Sequence, residues 1–546
     1  MRGSDLIVRI LIESGVRVCF GYPGSAVMPL YDALYRHRRQ IRHIRTAHEQ
    51  GAAHAADGYA RASGKLGVCI ATSGPGATNL VTGIATAFAD SVPVLFITAN
   101  VNLDEIGTDS FQEADIAGIT LPITKYNWTV RSPEKLESTF RKAVMLAMKG
   151  RPGPVLVDVP RDILEYDFGR GYKTCSGAEA GDFSEMRSPE PGNPSNETVE
   201  ALARAINEAE RPFIVAGGGV RISGAWDEIA ALAEKAKIPV ATTLMACGAL
   251  PDGNPLSFGM AGKYGSPETA ALLKEADTVI CVGMRFSNRT HESFSDDRTI
   301  LHIDSDASEV NKNVAATVSA VGDAKEILAR ILPLVNKRRS AWTKKRDNSG
   351  DINCETSGFS DPVGETGSKL RKNVFEPVAR TLGGDAFVVT DVGLHQMAAA
   401  RFYPFEKPGR FITSGGFGTM GFGLGAAIGS SLAAGENGSG VVLFTGDGSF
   451  RMDLTELSTL RENNVKILVV VLNNSSLGMV RDIQKNEFGG RYIATAAQKA
   501  VPDFRRIATA YGLSGFTANT PEEFKKALES FANGKRSCVI DYRMKF

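Results

Sequence analysis

Three doubly wound α/β units with parallel sheets are what the sequence predicts, and three observations carry that expectation. Short β-branched runs alternate with amphipathic stretches along the chain. Most of those runs are closed by Gly, Pro or Asn. Two polar, aperiodic stretches divide the 546 residues into three parts. Alternation of this kind marks strands joined by crossover helices, the Rossmann-like pattern. A chain of this length also exceeds one hydrophobic core, so roughly three domains are the natural division.

In the first unit, expected over residues 1–170, the strand-like runs are Val16–Phe20, Val68–Thr72, Val94–Thr98 and Val155–Val159. From Ser176 to Asn196 the chain turns to Gly, Ser, Glu and Pro without periodicity, so 171–195 reads as a linker. The second unit, 196–335, carries Phe213–Ala216, Val240–Thr243, Thr278–Val282 and Ile300–Ile303. KRRSAWTKKRDNSGD and a Ser/Gly/Thr-rich stretch make 336–368 a second linker. The third unit, 369–546, carries Phe387–Thr390, Gly440–Phe444, Val465–Leu472 and Ser537–Asp541. No short repeat is visible.

Composition narrows the setting but not the chemistry. A hydrophobic content of 43% with 23% charged residues is that of a soluble globular protein. The net charge of +1 argues neither for nucleic acid nor for an anionic membrane surface as partner. No apolar run approaches the roughly 20 residues that span a bilayer, and Asp5 and Arg9 interrupt the N-terminus as a signal peptide. The seven cysteines are scattered without a CxxC pair, as expected of reduced thiols in a cytoplasmic protein.

The sharpest motif is VVLFTGDGSF, Val441–Phe450, followed 26 residues after Gly448 by Asn474 in VVVLNNSSLGM. Asp447 and Asn474 would lie beyond the carboxyl ends of two consecutive strands, the edge where open α/β sheets bind ligands. An anionic oxygen and an amide oxygen there suit a hard cation such as Mg²⁺. Gly446 and Gly448 would let the backbone approach phosphate oxygens. A lone GDG is a common turn; its pairing with Asn-Asn on the next strand makes it a site. Together these segments resemble the diphosphate-binding motif of thiamine-dependent enzymes. The resemblance implies that Asp447, Asn474 and the main-chain carbonyl of Ser476 hold Mg²⁺, with Ser449 beside the diphosphate.

HEQGAAHAADGYARASGK, His48–Lys65, places Glu49 at a helix start, where it could simply complement the helix dipole. GYPGSAV (Gly21–Val27) and TSGPGATNLVTGIATAFADSVP (Thr72–Pro93) are similar, in order, to the pyrimidine-binding domain of the same enzymes. That resemblance implies that Glu49 hydrogen-bonds N1′ of the aminopyrimidine and drives loss of the thiazolium C2 proton. Such a carboxyl should sit desolvated. Pro23, Gly24, Gly74 and Asn79 are carried over with it as cofactor contacts. In SGGFGTMGFGLGAA (Ser414–Ala427), Gly418 and Met420 correspond to the turn and apolar wedge that fold the cofactor. Because different subunits grip the two rings in this family, a homodimer or homotetramer is implied.

The resemblance covers nearly the whole chain and is closest to the large catalytic subunit of acetohydroxyacid (acetolactate) synthase. TDSFQEADI (Thr108–Ile116), ITKYN (Ile123–Asn127), TDVGLHQM (Thr390–Met397) and LGMV (Leu477–Val480) carry it. Pyruvate decarboxylases have a His-His pair that this chain lacks, and glyoxylate carboligase lacks the glutamate that is present here. By the same resemblance Gln112 contacts the substrate side of the thiazolium, Phe111 walls the pocket and Lys125 lies on the approach. His395, Gln396 and Met479 belong to the cofactor site, and Met479 and Val480 border the acceptor. Phe111, Met479 and Val480 could equally be core, and Lys125 a solvated charge.

AGGGV (Ala216–Val220), GMRFSNRT (Gly283–Thr290) and HIDSDASEVNKN (His302–Asn313) resemble the central flavin-binding domain of those enzymes. They imply a structural FAD held by Gly217, Gly218, Gly219, Arg285, Asp304 and Asp323. Ser287–Asn288 replaces the usual Asp-Asp there. Three departures concern the acceptor: Ile483 stands where a tryptophan is expected, Lys263 and Tyr264 replace Met and His in GMAGKYG, and the sequence stops at Phe546 without the usual closing tail. With Val480, Lys263 and Ile483 should form a wider, wetter acceptor pocket. The reaction implied is decarboxylation of pyruvate and transfer of the hydroxyethyl unit to a carbonyl acceptor, foremost a second pyruvate to give 2-acetolactate. A larger ketone such as a nucleotide-linked keto-sugar, or oxidation of pyruvate by FAD, are the alternatives. A separate regulatory subunit is possible; no such domain is visible in this chain.

Overall fold

A computed structural model describes residues 1–169, 172, 192–287, 289–290, 294, 297–343, 364–435, 438–495 and 502–544. It contains three six-stranded sheets, and every strand pair in them is parallel. The first is built from β1 (Val18–Gly21), β2 (Arg42–Arg45), β3 (Gly67–Ala71), β4 (Val94–Asn100), β5 (Tyr126–Thr129) and β6 (Val155–Pro160), in the order β2-β1-β3-β4-β6-β5. The second holds β7 (Pro212–Ala216), β8 (Val240–Thr242), β9 (Ser257–Met260), β10 (Thr278–Val282), β11 (Thr299–Asp304) and β12 (Val318–Val321), in the order β12-β11-β10-β7-β8-β9. The third holds β13 (Phe387–Thr390), β14 (Phe411–Ile412), β15 (Val441–Gly446), β16 (Leu468–Asn473), β17 (Ser514–Ala518) and β18 (Cys538–Arg543), in the order β14-β13-β15-β16-β18-β17.

The expected α/β class is what the structure has, and each strand read from the sequence is an interior strand. The six that escaped the reading, β2, β5, β9, β12, β14 and β17, are the six sheet edges. Interior strands such as β3 and β16 are buried at every position. A strand covered on both faces must be a continuous apolar run. An edge strand need not be: β2 is Arg-His-Ile-Arg, with only Ile44 buried. The expected linker 171–195 lies almost wholly outside the described residues, as does most of 336–368; the helix Gly364–Leu370 begins inside the second stretch. Among the described residues no helix is long and apolar enough to cross a membrane.

The first and third units share a core. One buried cluster runs from Phe20, Ile44 and Phe96 to Phe387, Leu443 and Val469. Its centre is the crossing of two helices, Glu49–Ser63 and Gly423–Ala434, both built mainly from Gly and Ala on the contact side. Small residues let the backbones touch. A methyl on Gly429 would overlap the carbonyl oxygen of Ala55, and one on Gly58 would overlap that of Ala426. The Ser430 hydroxyl, inside the seam, donates to Ala426 O at 2.8 Å and reaches Gly58 O at 3.3 Å. The first helix is capped by the His48 ring, which accepts from Gln50 N at 3.0 Å, and is ended by Gly64 at φ 69°.

His54 is fully buried in this seam, edge-on to Phe422, and neither ring nitrogen has a hydrogen-bond partner. Burial, helped by the nearby Arg61 charge, pushes its pKa down to about 3.

Gly429→Ala is expected to destabilise the protein by about 3 kcal/mol or more, because backbone atoms cannot yield to the added methyl. Gly253→Ala, with nothing within 4 Å of the added carbon, should be near neutral; thermal melts of the two variants check this. The imidazole of His54 is neutral in the folded state, whereas an unfolded one charges near 6.5. Stability is therefore undiminished by His54 above that pH and is lost as pH falls from there toward about 3. His54→Leu should flatten the acid limb of a pH–denaturation series by up to ~1.4 kcal/mol per pH unit.

Candidate active site

Adjacent strands β15 and β16 end side by side, in register at Gly446 and Leu472, and release the two motif turns together. Asp447 follows Gly446 directly and is only 6% exposed. Its Oδ1 accepts from Asn474 N at 3.3 Å, and burial holds its carboxyl above the usual range. The two asparagines divide the work. Asn473 donates to Asp541 Oδ1 on β18 at 2.8 Å and accepts from Ser475 N at 3.0 Å, which pins a turn whose Ser475 has φ 55°. Asn474 accepts from Ser476 N at 3.1 Å and faces a cavity of about 190 Å³.

Gly446, Gly448, Ser449, Ser476, Met420, Met479 and Val480 line that cavity with Asn474. So do Gly418 and His395. A side chain on Gly446 would meet the His395 ring at 2.9 Å, and one on Gly448 would meet Leu477 at 2.5 Å. These glycines are required by crowding, which adds a packing role to the expected phosphate approach. His395 Nε2 is buried without a partner, and burial pushes the ring's pKa down to about 4, so the ring is neutral. Asp391, which the sequence reading did not single out, sets the turn carrying Met420. Its carboxylate accepts from Gly421 N at 2.9 Å and from the amides of Phe422 and Gly423. Only its burial among backbone N–H groups shows this, and no sequence pattern does.

The first unit gathers a separate group. Glu49, 8% exposed, accepts from Asn79 Nδ2 at 2.9 Å, and a methyl on Gly76 would stand 3.3 Å from its Oε1. Gly24, after Pro23, lies so close to Thr72 that an added methyl would overlap that side chain. Gly74 (φ 56°) packs against the backbone of Gln112, itself left-handed at φ 60°. A non-glycine residue held there stores strain of about 1–3 kcal/mol, which clusters at functional sites. Phe111 is 85% exposed beside it. No residue of the first unit lines the cavity around Asn474.

A second cavity, about 210 Å³, lies where all three units meet. Asp90 and Arg151 reach it from the first unit, Gly218, Gly219, Lys263, Arg285 and Asp304 from the second, and Gly415 from the third. Gly217 and Gly219 pack backbone on backbone against Gly283, while a methyl added to Gly218 would stand 3.2 Å from the Met245 side chain. Arg285 donates to Ala89 O at 2.7 Å. Beside this cavity lies a charge network that the sequence did not reveal. Arg61, fully buried, pairs with Asp57 at 2.5 Å and Asp90 at 3.1 Å and donates to Thr413 O at 2.8 Å. Asp90 in turn accepts from Gly415 N and Gly416 N at 2.9 and 2.7 Å.

Several expected site residues are placed otherwise. Lys125 donates to Leu146 O and Lys149 O at 2.6 and 2.7 Å, capping the end of the helix Pro133–Met148; burial lowers its pKa to about 8. Gln396 is buried and donates to Thr413 Oγ1 and Ser414 O at 2.7 and 3.1 Å, lining neither cavity. Asp323 caps the helix Ala324–Ile331 through Lys325 N and Glu326 N. The acceptor trio is dispersed: Lys263 lines the three-unit cavity, Val480 the cavity around Asn474, and Ile483 neither. Asn288 lies outside the described residues.

Comparison with known proteins bears on this arrangement. Family models match in three segments: thiamine pyrophosphate enzyme, N-terminal TPP binding domain, over residues 1–119; the central domain over 199–331; and the C-terminal TPP binding domain over 391–542. The chain belongs to the thiamine pyrophosphate enzymes. It is 40% identical to a probable acetolactate synthase large subunit of Methanocaldococcus jannaschii, covering 99% of this chain and 91% of that one. It is 41% identical to an acetolactate synthase of Arthrospira platensis (99% and 94% covered). It is 39% identical to the acetolactate synthase isozyme 3 large subunit of Escherichia coli (98% and 93% covered). The protein is thus an acetolactate-synthase-like, thiamine-diphosphate-dependent enzyme, and the turns at Asp447 and Asn474 fall within its C-terminal binding domain.

Arg61→Ala should cost about 3–5 kcal/mol, since it leaves Asp57 and Asp90 buried without their cation. Urea unfolding of the variant measures it.

Proposed function

We propose that the enzyme is a Mg²⁺-dependent carboligase that decarboxylates pyruvate and transfers the two-carbon unit to a second pyruvate, releasing 2-acetolactate. The observation that carries this reading is the pair Asp447 and Asn474, set side by side at two strand ends, in a chain whose relatives are acetolactate synthases. Among the described residues no three His, Cys, Asp or Glu side chains converge for a metal. One carboxylate, one amide oxygen and the Ser476 carbonyl are instead a donor set for a hard cation that takes its remaining ligands from water and phosphate. The unpartnered His395 Nε2 and the crowded glycines fit a diphosphate in the same cavity.

Thiamine diphosphate, when bound, supplies the carbon that adds to the keto group and the ring that accepts the electrons released with CO₂. Asp447, Asn474 and Ser476 hold the cation and through it the diphosphate. Met420, braced by Asp391, supports the bend between the cofactor's rings. Glu49, oriented by Asn79, moves the proton at the pyrimidine N1′. Gln112 and Phe111 border the reacting side. Because the Glu49 group and the Asn474 cavity are separate in one chain, we assign a complete site to two chains, as a homodimer or a pair of them. Several relatives are named large subunits, which supports a smaller regulatory partner as well.

FAD fits the three-unit cavity. Gly218 and Gly219 offer backbone to a diphosphate, Arg285 and Arg151 offer positive charge, and the buried Asp304 offers a hydroxyl acceptor. A structural role is consistent with a carboligation that needs no electron acceptor. A larger ketone as acceptor is the second reading, favoured by the open mouth of the Asn474 cavity, where Val480 is 45% exposed.

With thiamine diphosphate, Mg²⁺, FAD and pyruvate alone, mass spectrometry should show acetolactate formed in step with CO₂. Slow CO₂ release without acetolactate would instead select the larger acceptor. Glu49→Gln should lower turnover by about 10²–10⁴-fold with cofactor binding intact. Mixing it with Asp447→Ala, itself inactive, should restore activity if each site is built from two chains; no recovery would reject that assembly.

A further inference from the structure

Glu456 stands nine residues after Asp447 in the short turn Leu454–Glu456 of the third unit, and only 1% of it is exposed. Its carboxylate is directed into the first unit. Oε1 accepts from His48 N at 3.1 Å and Oε2 from Ala47 N at 3.2 Å, while Thr459 Oγ1 donates to Oε2 at 2.7 Å. The carboxylate lies so close to Gly51 that any side chain there would overlap it. Both of its backbone donors immediately precede Glu49.

Physics makes this more than a packing contact. Ala47 and His48 lead into the helix that Glu49 begins, and a carboxylate there completes their hydrogen bonding and complements the helix dipole. Hydrogen bonds to a charged acceptor are short and strong. With both amides gripped, the backbone from Thr46 to His48 has little freedom, and the direction in which Glu49 leaves the helix is set from behind. Its own carboxyl is steadied in front by Asn79. Burial raises the pKa of Glu456 above that of an ordinary glutamate, so the contact with the two amides is made at a desolvation cost.

We infer that Glu456 is a positioning residue: it aims the Glu49 carboxyl, and it ties that aim to the segment carrying Asp447 in the same chain. The inference rests on the reading that Glu49 moves the cofactor's proton. In a two-chain site, each chain's Glu49 serves one cofactor while its Asp447 holds the other, so Glu456 would join the two sites mechanically.

Glu456→Gln keeps the shape but turns an N–H₂ toward one of the two amides. In the cofactor-free protein, hydrogen–deuterium exchange over residues 45–52 should quicken about tenfold, the loss expected for one charge-assisted bond. In the loaded protein, deuterium exchange at the thiazolium C2, followed by NMR after acid quench, should slow about tenfold while the cofactor dissociation constant holds. Unchanged C2 exchange in Glu456→Gln, alongside its collapse in Glu49→Gln, would overturn this inference and leave the proton-relay reading standing. Unchanged exchange in Glu49→Gln would overturn that reading itself. Parallel loss of cofactor affinity and melting temperature would reduce Glu456 to a structural residue and also overturn the inference. Should Glu456→Gln fail to fold, Thr459→Val removes one bond to the same carboxylate; a smaller slowing of C2 exchange is expected, and none would overturn the inference.

Discussion

The direct backbone contact between the helices Glu49–Ser63 and Gly423–Ala434 is the constraint on which the rest of this molecule depends. Side chains normally separate packed helices and absorb small shifts by changing rotamer. Here Gly58 and Gly429 remove that cushion, and main-chain atoms of residues hundreds of positions apart set the spacing. Glu49 begins one helix and Met420 stands three residues before the other. Glu49 and Met420, which in a two-chain site would serve different cofactors, are thus gauged against a single rigid seam. The shared hydrophobic cluster around it makes the first and third units one body energetically, although the central unit separates them in sequence.

Three buried acids along this body are occupied by backbone amides. Asp391 holds the amides that open the Gly423 helix, Asp453 accepts from Leu424 N at 3.0 Å, and Glu456 holds the turn before Glu49. Burial raises the pKa of Asp453 well above the ordinary carboxylate range, and the neighbouring Asp391 charge adds to it. Asp447 stands at the end of β15 beside the Asn474 turn, whose amide donates to its carboxylate.

What the sequence revealed follows from what each residue has to do locally. Interior strands such as Val441–Gly446 announce themselves because both faces are buried, whereas Arg42–Arg45 has a partner on one side only and looks like a loop. Asp447 and Asn474 were legible because a strand end, a glycine turn and a neighbouring strand end are all local features. Arg61 was not, since its meaning comes from Asp57, Asp90 and Thr413, which only the fold assembles. Lys125, Gln396 and Asp323 show the converse. A matching motif names a residue type, but the nearest unsatisfied carbonyl or amide decides where that side chain is spent.

The cavity where the three units meet has a thermodynamic meaning of its own. A molecule seated there contacts every unit at once, so its binding free energy is shared among all three and vanishes when any one of them opens. Filled, it acts as a keystone that makes unfolding a single cooperative event. Apart from it, the central unit is joined to the others by Cys247 and Met260, buried in the core of the third unit, and by ion pairs such as Arg151 with Asp306 and Glu309. A molecule with no part in the chemistry would then still govern how long the enzyme survives in the cell, because ligand supply would set the population of partly opened chains exposed to proteolysis.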